Sequence, residues 1–487
     1  MGPLDLLLHS TVALDVLGLV VRAVALAVVP VNRRPSSAMA WLMLIFALPY
    51  VGIVAFLLIG SPKLPADRRR RQREVNRLIA ERTAAMPVVP STDPGPDWLA
   101  PVVALNRELG ALPLVTGNRA ELIEEYDASL QAMTDAVDAA RRFVHVEFYI
   151  LASDATTAPF FAAMERAVQR GIPVRVLYDH VGSLRVPRYR RTVRHLRRIG
   201  VQWRPALPVQ PWRLRYQRPD LRNHRKLLVV DGEVAFVGSQ NLIDRSYLKR
   251  ANLRRGLQWQ ELMVRLEGPI VGSVNAVFAT DWHSERGEAW EGEILPGDPA
   301  EAPTTLECQV VPSGPGFDNE NNLRLFNSLI YNARRRVSIT SPYFVPDESL
   351  LHAVTTAAQR GLDVELFVSE IGDQPLVFHA QRSYYEALLR AGVRIWRYPA
   401  PSILHAKHLT IDDEVSVIGS SNMDMRSFDL NMELSLLVSG RDFAQRLGTV
   451  QDHYRALSRE LTLEEHRRLR LPSRVLDNLA RLTSALQ

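Results

Sequence analysis

At 487 residues the chain is longer than one hydrophobic core ordinarily organises, so two or three units are expected. A hydrophobic fraction of 47% excludes a disordered chain, and the single cysteine, Cys308, excludes an intrachain disulfide framework. The net charge of +6 averages over two strongly basic stretches and a net acidic remainder.

Two apolar stretches, 6–30 and 38–60, open the chain and predict a membrane hairpin over residues 1–60. The 23 residues of 38–60 carry no charge, enough to cross a hydrocarbon core that needs about 20, with a kink expected at Pro49. The first stretch carries His9, Asp15 and Arg22, which are costly in lipid; Asp15 and Arg22 stand seven apart and can pair along one helix face. No positive n-region precedes it, which argues against a cleaved signal peptide. Residues 61–115 read as a basic juxtamembrane segment followed by a Pro-rich linker. Eight Lys/Arg against three acids in 61–82 outnumber Arg33 and Arg34 between the spans, so the positive-inside rule puts the body of the chain in the cytoplasm.

Residues 116–283 predict an α/β lobe: a strand from 142, a helix over 159–169, and Gly171 leading into a strand over 174–178. Residues 185–226 then concentrate thirteen Arg and one Lys against Asp220 alone. With Trp203, Trp212 and Tyr216 interleaved, this run suits anionic lipid headgroups, each nearby charge contributing on the order of 1 kcal/mol. Its bland reading is a solvated face; nucleic acid is the rival polyanion, and the apolar N-terminal stretches weigh against it. Residues 284–305, rich in Gly, Glu and Pro, form the expected linker. Residues 306–440 repeat the first lobe, with a strand over 336–340, a helix over 350–359, and Gly361 leading into a strand over 364–368. Alternating strands and helices imply two α/β lobes with largely parallel or mixed sheets. Residues 441–487 read as a helical C-terminal segment.

Each lobe carries the same polar string. His224-x-Lys226-x4-Asp231-x6-Gly238-Ser239-x-Asn241 recurs as His405-x-Lys407-x4-Asp412-x6-Gly419-Ser420-x-Asn422, at a constant offset of 181. The chain has 12 histidines and only four lysines, so chance supplies roughly 0.1 His-x-Lys pairs. Residues i and i+2 of a strand share a face, so each His and its Lys point together. Asp231-Gly232 then reads as a hairpin turn with a return strand over 234–237. Asp231 lies roughly 23 Å along an extended backbone from His224, which favours hairpin support over orientation of that histidine. Ser239 and Asn241, with Ser420 and Asn422, return beside the His-x-Lys ends as small donors.

Two neutral imidazoles, two ammonium groups and several small donors suit displacement at a phosphodiester. One imidazole attacks phosphorus, the lysines hold the nonbridging oxygens, and the opposite imidazole protonates the departing alkoxide. No metal is needed: the motifs lack ligand-spaced His/Cys/Asp/Glu clusters, and a neighbouring lysine opposes a cation.

These motifs resemble the paired HKD motifs of the phospholipase D superfamily, and the fuller match is to the bacterial cardiolipin synthases. It extends to 32–38 with Ala40-Trp41, Val146-Glu147-Phe148-Tyr149-Ile150, Tyr178-Asp179, Gly268-Pro269, Pro342-Tyr343-Phe344 and Asn431-Met432-Glu433. The resemblance implies an integral inner-membrane enzyme, without a cofactor, that takes a phosphatidyl group from one phosphatidylglycerol and passes it to a second through a phosphatidyl-histidine. It implies His224 as nucleophile, His405 as general acid then base, Lys226, Lys407, Asp231 and Asp412 as the remaining motif residues, and a downstream glutamate that orients each histidine. Glu433, 28 residues past His405, matches that glutamate; Glu261, 37 past His224, is the first-half candidate. Phospholipase D hydrolysis, in which water attacks the same intermediate, and a membrane-tethered nuclease are the alternatives.

Overall fold

A computed structural model describes residues 3–31, 33, 35–60, 63–89, 95–210, 218–286, 306–317 and 320–484. Trp212 and Tyr216, and the linker from residue 287 onward, lie outside the described residues. The chain divides into two compact units, Met1–Lys63 and Leu64–Gln487.

The first unit holds three helices, Pro3–Val28, Pro35–Ala47 and Pro49–Ile59. The uncharged stretch 38–60 is therefore two short helices rather than one kinked span. Pro49 supplies no N–H and forbids its predecessor the helical region, and Leu48 sits at φ −135°, ψ 75°. The two short helices fold against each other: a Cβ on Gly52 would stand 2.7 Å from the Ile45 Cα, so glycine permits the approach. Trp41 meets Phe56 edge-on at 5.5 Å. Arg22 does not rely on Asp15; its Nε donates to the Phe46 carbonyl at 3.2 Å. Among the described residues no helix is long and apolar enough to cross a membrane.

The second unit is built on one sheet of 16 strands among the described residues, and its order reads the same outward from a central seam. At the seam Leu114–Ile123 pairs antiparallel with Leu306–Ser313. In the first lobe Met263–Glu267, Val234–Gly238 and Lys226–Val230 follow, then the parallel trio Val144–Phe148, Val174–Asp179 and Gln202–Ala206. In the second lobe Asn431–Ser439, Val415–Gly419 and His408–Ile411 occupy the same places, followed by Arg336–Thr340, Asp363–Ser369 and Arg394–Tyr398. A short strand, Arg459–Leu461, extends the second lobe's edge, so the C-terminal segment is not wholly helical. Helices cover the sheet, and strands such as Val144–Phe148 are buried along their whole length, as parallel strands covered on both faces require.

The motif aspartates belong to this frame. Asp231 and Gly232 both take positive φ, 58° and 76°, as do Asp412 and Asp413 at 54° and 58°, the conformation that closes a two-residue hairpin with the twist of its strands. The Asp231 carboxylate accepts from the backbone N–H groups of Arg141, Arg142 and Phe143 at 2.7–2.9 Å. Asp412 accepts from Arg334, Arg335 and Arg336 at 2.7–2.8 Å. Each clamps its hairpin to the start of the first parallel strand. A whole strand separates each aspartate from its histidine, and both carboxylates are engaged in these hairpin clamps.

Candidate active site

The histidines are positioned by two short strand pairs that cross between lobes. Arg222–Asn223, just ahead of the first motif, pairs in parallel with Asn431 and Met432 of the second lobe, and the His224 N–H donates to the Met432 carbonyl at 2.9 Å. Reciprocally, Ser402–Leu404 pairs with Gln258–Gln260 of the first lobe, and the His405 N–H donates to the Gln260 carbonyl at 2.7 Å. The next residue on each partner strand is a glutamate. Glu433 therefore takes His224 Nδ1–H at 2.9 and 3.0 Å, and Glu261 takes His405 Nδ1–H at 2.8 and 2.9 Å. The expectation that each glutamate orients the histidine of its own half is corrected: the wiring is exchanged, because the strand that precedes each histidine pairs with the opposite lobe. With Nδ1–H committed to a carboxylate, each ring keeps Nε2 for chemistry.

The lysines are anchored by their own motifs. Lys226 Nζ donates to the His224 carbonyl and Lys407 Nζ to the His405 carbonyl, each at 2.5 Å. Ser420 donates to Glu433 at 2.5 Å, and Ser239 hydrogen-bonds Glu261, so these two serines steady the carboxylates. The asparagines differ. Asn241 accepts from the Ile150 N–H at 3.0 Å and donates to the Tyr247 hydroxyl at 2.8 Å, which commits its amide to the scaffold. The Asn422 amide oxygen is buried without a hydrogen-bond partner among the described residues.

Electrostatics join the two motifs into one cluster. Burial pushes His224 well below its ordinary value, and the ammonium groups of both Lys226 and Lys407 add to the effect. Burial also lowers His405, but ionised Glu261 opposes the shift. Lys226 falls to about 7 and Lys407 to about 8, in each case through burial partly offset by the two glutamates. Burial lifts Glu433 to about 7, whereas the His405 contact and Lys407 outweigh burial at Glu261 and lower it. Burial first, and mutual repulsion second, thus disfavour protons on these cationic groups, a condition that a bound phosphodiester anion relieves.

Several residues at the site carried no assigned role in the sequence. Tyr149 meets the His224 ring edge-on at 4.7 Å, with Lys226 Nζ 5.4 Å from its ring centroid, and Tyr343 stands 6.4 Å from the His405 ring. Both follow the first parallel strand of their lobe, the signal by which they were findable. Behind His224, Arg222 is paired with Asp179 at 3.0 Å, and Arg225 reaches Asp281 and donates to the Glu433 carbonyl at 3.1 Å. These two members of the arginine run are buried structural ions and not lipid-facing charges. Trp203 likewise stacks on Tyr178 at 6.0 Å with Arg197 at 5.5 Å, which commits it to packing. Arg68 of the juxtamembrane segment is paired with Glu285 at 2.7 Å. The second motif has Ala406 where the first has Arg225, so the duplicated halves are not chemically identical.

Among the described residues no group of three or more His, Cys, Asp or Glu is arranged to hold a metal ion.

Comparison with known proteins agrees with this geometry. The family profile described as "Cardiolipin synthase, PLD-like domain" matches residues 133–282 and 326–453, and "Phospholipase_D-nuclease N-terminal" matches 16–61. Cardiolipin synthase A of Proteus mirabilis (strain HI4320) is 34% identical over 466 residues, 93% of this chain and 94% of that protein. Cardiolipin synthase A of Serratia proteamaculans (strain 568) is 34% identical over 474 residues, 95% of each. The crystal structure of phosphatidylserine synthase from Haemophilus influenzae Rd KW20 superposes with a TM-score of 0.61 at 15% identity, covering 79% of this chain and 99% of that one, and so shares the fold. A profile that matches both lobes, and relatives aligned over nearly the full length, settle the kinship: the chain belongs to the cardiolipin synthase family of phospholipase D-like proteins.

Proposed function

We propose that this chain is a phosphatidyltransferase that joins two phosphatidylglycerols into cardiolipin and releases glycerol. The observation that carries the reading is the exchanged pair of His–Glu dyads, each completed by the other lobe, with the ammonium groups of both lysines acting on His224. His224 Nε2 attacks phosphorus, the bond from phosphorus to the glycerol oxygen breaks, and His405 Nε2–H protonates that oxygen. Lys226 and Lys407 hold the nonbridging oxygens, whose charge grows in the transition state. The terminal hydroxyl of a second phosphatidylglycerol then gives its proton to His405 and attacks phosphorus, and His224 leaves. The electrostatics support these roles: burial and both lysines depress His224 strongly and favour its neutral, nucleophilic form, while ionised Glu261 supports a proton on His405.

Membrane attachment through the first unit is part of this reading. Its helices turn Leu19, Met43 and Leu57 outward at 67%, 69% and 76% exposure, a surface that suits lipid and not water. The arginine excess after residue 63 favours a catalytic body on the cytoplasmic side of the bacterial inner membrane. The helices Pro35–Ala47 and Pro49–Ile59 span about 20 Å and 16 Å at 1.5 Å per residue, too short for separate passage through a core of about 30 Å.

Incubating the full-length protein with labelled phosphatidylglycerol tests the function. Cardiolipin with one glycerol released per product is expected. Phosphatidic acid as the main product would transfer the second step to water, and DNA cleavage without lipid turnover would overturn the lipid reading.

A further inference from the structure

The C-terminal helix Leu471–Arg481 is turned inside out. An ordinary surface helix buries its apolar stripe and exposes its polar one. Here the face toward the protein is small and polar. Asp477 accepts from His379 at 2.7 Å and Arg382 at 2.9 Å, Ser473 accepts from Arg382 at 2.6 Å, and Ala480 is buried beside them. The helix is packed against Pro375–Ala391 through those contacts, so its orientation is fixed by a buried ion network. The opposite face carries Leu471, Val475, Leu476, Leu479 and, one residue on, Leu482, exposed by 72%, 48%, 45%, 56% and 80%. At about 100° per residue these five side chains fall roughly opposite the buried stripe.

Arginine dominates the charge around this stripe. Arg467, Arg468, Arg470, Arg474 and Arg481 lie in or just before the helix, and its only acid, Asp477, is buried and already paired. Arg467 and Arg474 share Glu386 and Arg468 pairs with Glu464, yet Arg474, Arg467 and Arg468 keep 48%, 49% and 76% of their side chains exposed, and the five arginines outnumber these two acids. A second copy of the chain would have to bring this arginine cluster against its like, whereas an anionic lipid surface offers hydrocarbon for the leucines and phosphate for the guanidiniums. We propose that this helix is an interfacial anchor that lies in the plane of an anionic bilayer, leucines among the acyl chains and arginines at the headgroups. It is a lipid contact of the catalytic unit itself, separate from the N-terminal helices, and it holds whether or not the transferase chemistry does.

Cys308 is fully buried, so single cysteines can be labelled selectively in the full-length protein. An environment-sensitive fluorophore is placed at Leu479→Cys and, as control, at Gln359→Cys, an exposed position on another helix. In phosphatidylglycerol/phosphatidylethanolamine vesicles the Leu479 label should shift to the blue and be quenched severalfold by nitroxide-labelled lipid, while the Gln359 label remains aqueous. A Leu479 label that stays in water, or that is quenched by labels on other copies instead of by lipid, overturns the proposal; equal quenching in pure phosphatidylcholine overturns its anionic part. Independently, Leu476→Ser/Leu479→Ser should raise severalfold the lipid surface concentration needed for half-maximal rate without lowering Tm. An unchanged lipid dependence contradicts the anchor.

Discussion

Exchanging a glutamate should disable the chemistry of the lobe to which it does not belong. Above about pH 7, where the Glu433 carboxylate is ionised, Glu433→Gln leaves the shape of the side chain intact and removes the charge that holds His224 Nδ1–H at 2.9 and 3.0 Å. A hydrogen bond to a charged group contributes about 1.5–3 kcal/mol, so a loss of roughly 10- to 150-fold is expected for either Glu433→Gln or Glu261→Gln with phosphatidylglycerol. The two variants separate when the leaving group changes. An ester of p-nitrophenol departs as a stable anion and needs no proton from His405, so the Glu261→Gln defect should shrink to severalfold. The Glu433→Gln defect should persist, because nucleophilic attack by His224 is still required. Stopped-flow release of p-nitrophenol measures both. If the good leaving group rescued Glu433→Gln and left Glu261→Gln impaired, the exchanged wiring, or the roles assigned to the histidines, would be wrong.

Three further outcomes follow. Lys226 and Lys407 lose their protons near pH 7 and 8, far below the ordinary lysine value, so kcat/KM should fall as pH rises through that range. The unfolded chain keeps those protons to about pH 10, so the same lysines make the substrate-free protein more stable as pH rises from 7 to 10; thermal melts should show this slope reduced in Lys226→Met. Asp231→Asn and Asp412→Asn should each cost about 1–3 kcal/mol of stability, seen as a lowered Tm, while the rate per folded molecule is kept; a thousandfold fall in kcat without loss of Tm would return these residues to the catalytic group. EDTA should leave the rate of phosphatidyl transfer in detergent unchanged, since the lysines occupy the electrophilic role; activity lost to EDTA and restored by one specific metal would contradict that.

The sequence carried the duplication in full, because an ungapped offset of 181 preserves every motif residue and the strand–helix order around it. The hairpin role of Asp231 was legible from Asp-Gly following an apolar run. The exchange of Glu261 and Glu433 was not, since it depends on which strands pair across 209 residues in one case and 144 in the other, and spacing along one chain holds no record of that. Pro49 was visible, yet its effect depended on Gly52 allowing the two short helices to fold together. The arginine run concealed two different fates, because Arg222 and Arg225 find their carboxylates, Asp179 and Asp281, only in the folded lobe. The C-terminal helix shows an ordinary amphipathic pattern; only its packing reveals that the leucines face outward.

The central claim is that both lobes build one site in which His224 alone becomes covalently attached to phosphorus. Alkaline quenching of the full-length enzyme during turnover, followed by peptide mass spectrometry, preserves a phosphohistidine and locates it. The account predicts the adduct on His224, accumulating in His405→Ala when the p-nitrophenyl ester is the donor. An adduct on His405, or turnover with no histidine adduct under those conditions, would contradict it.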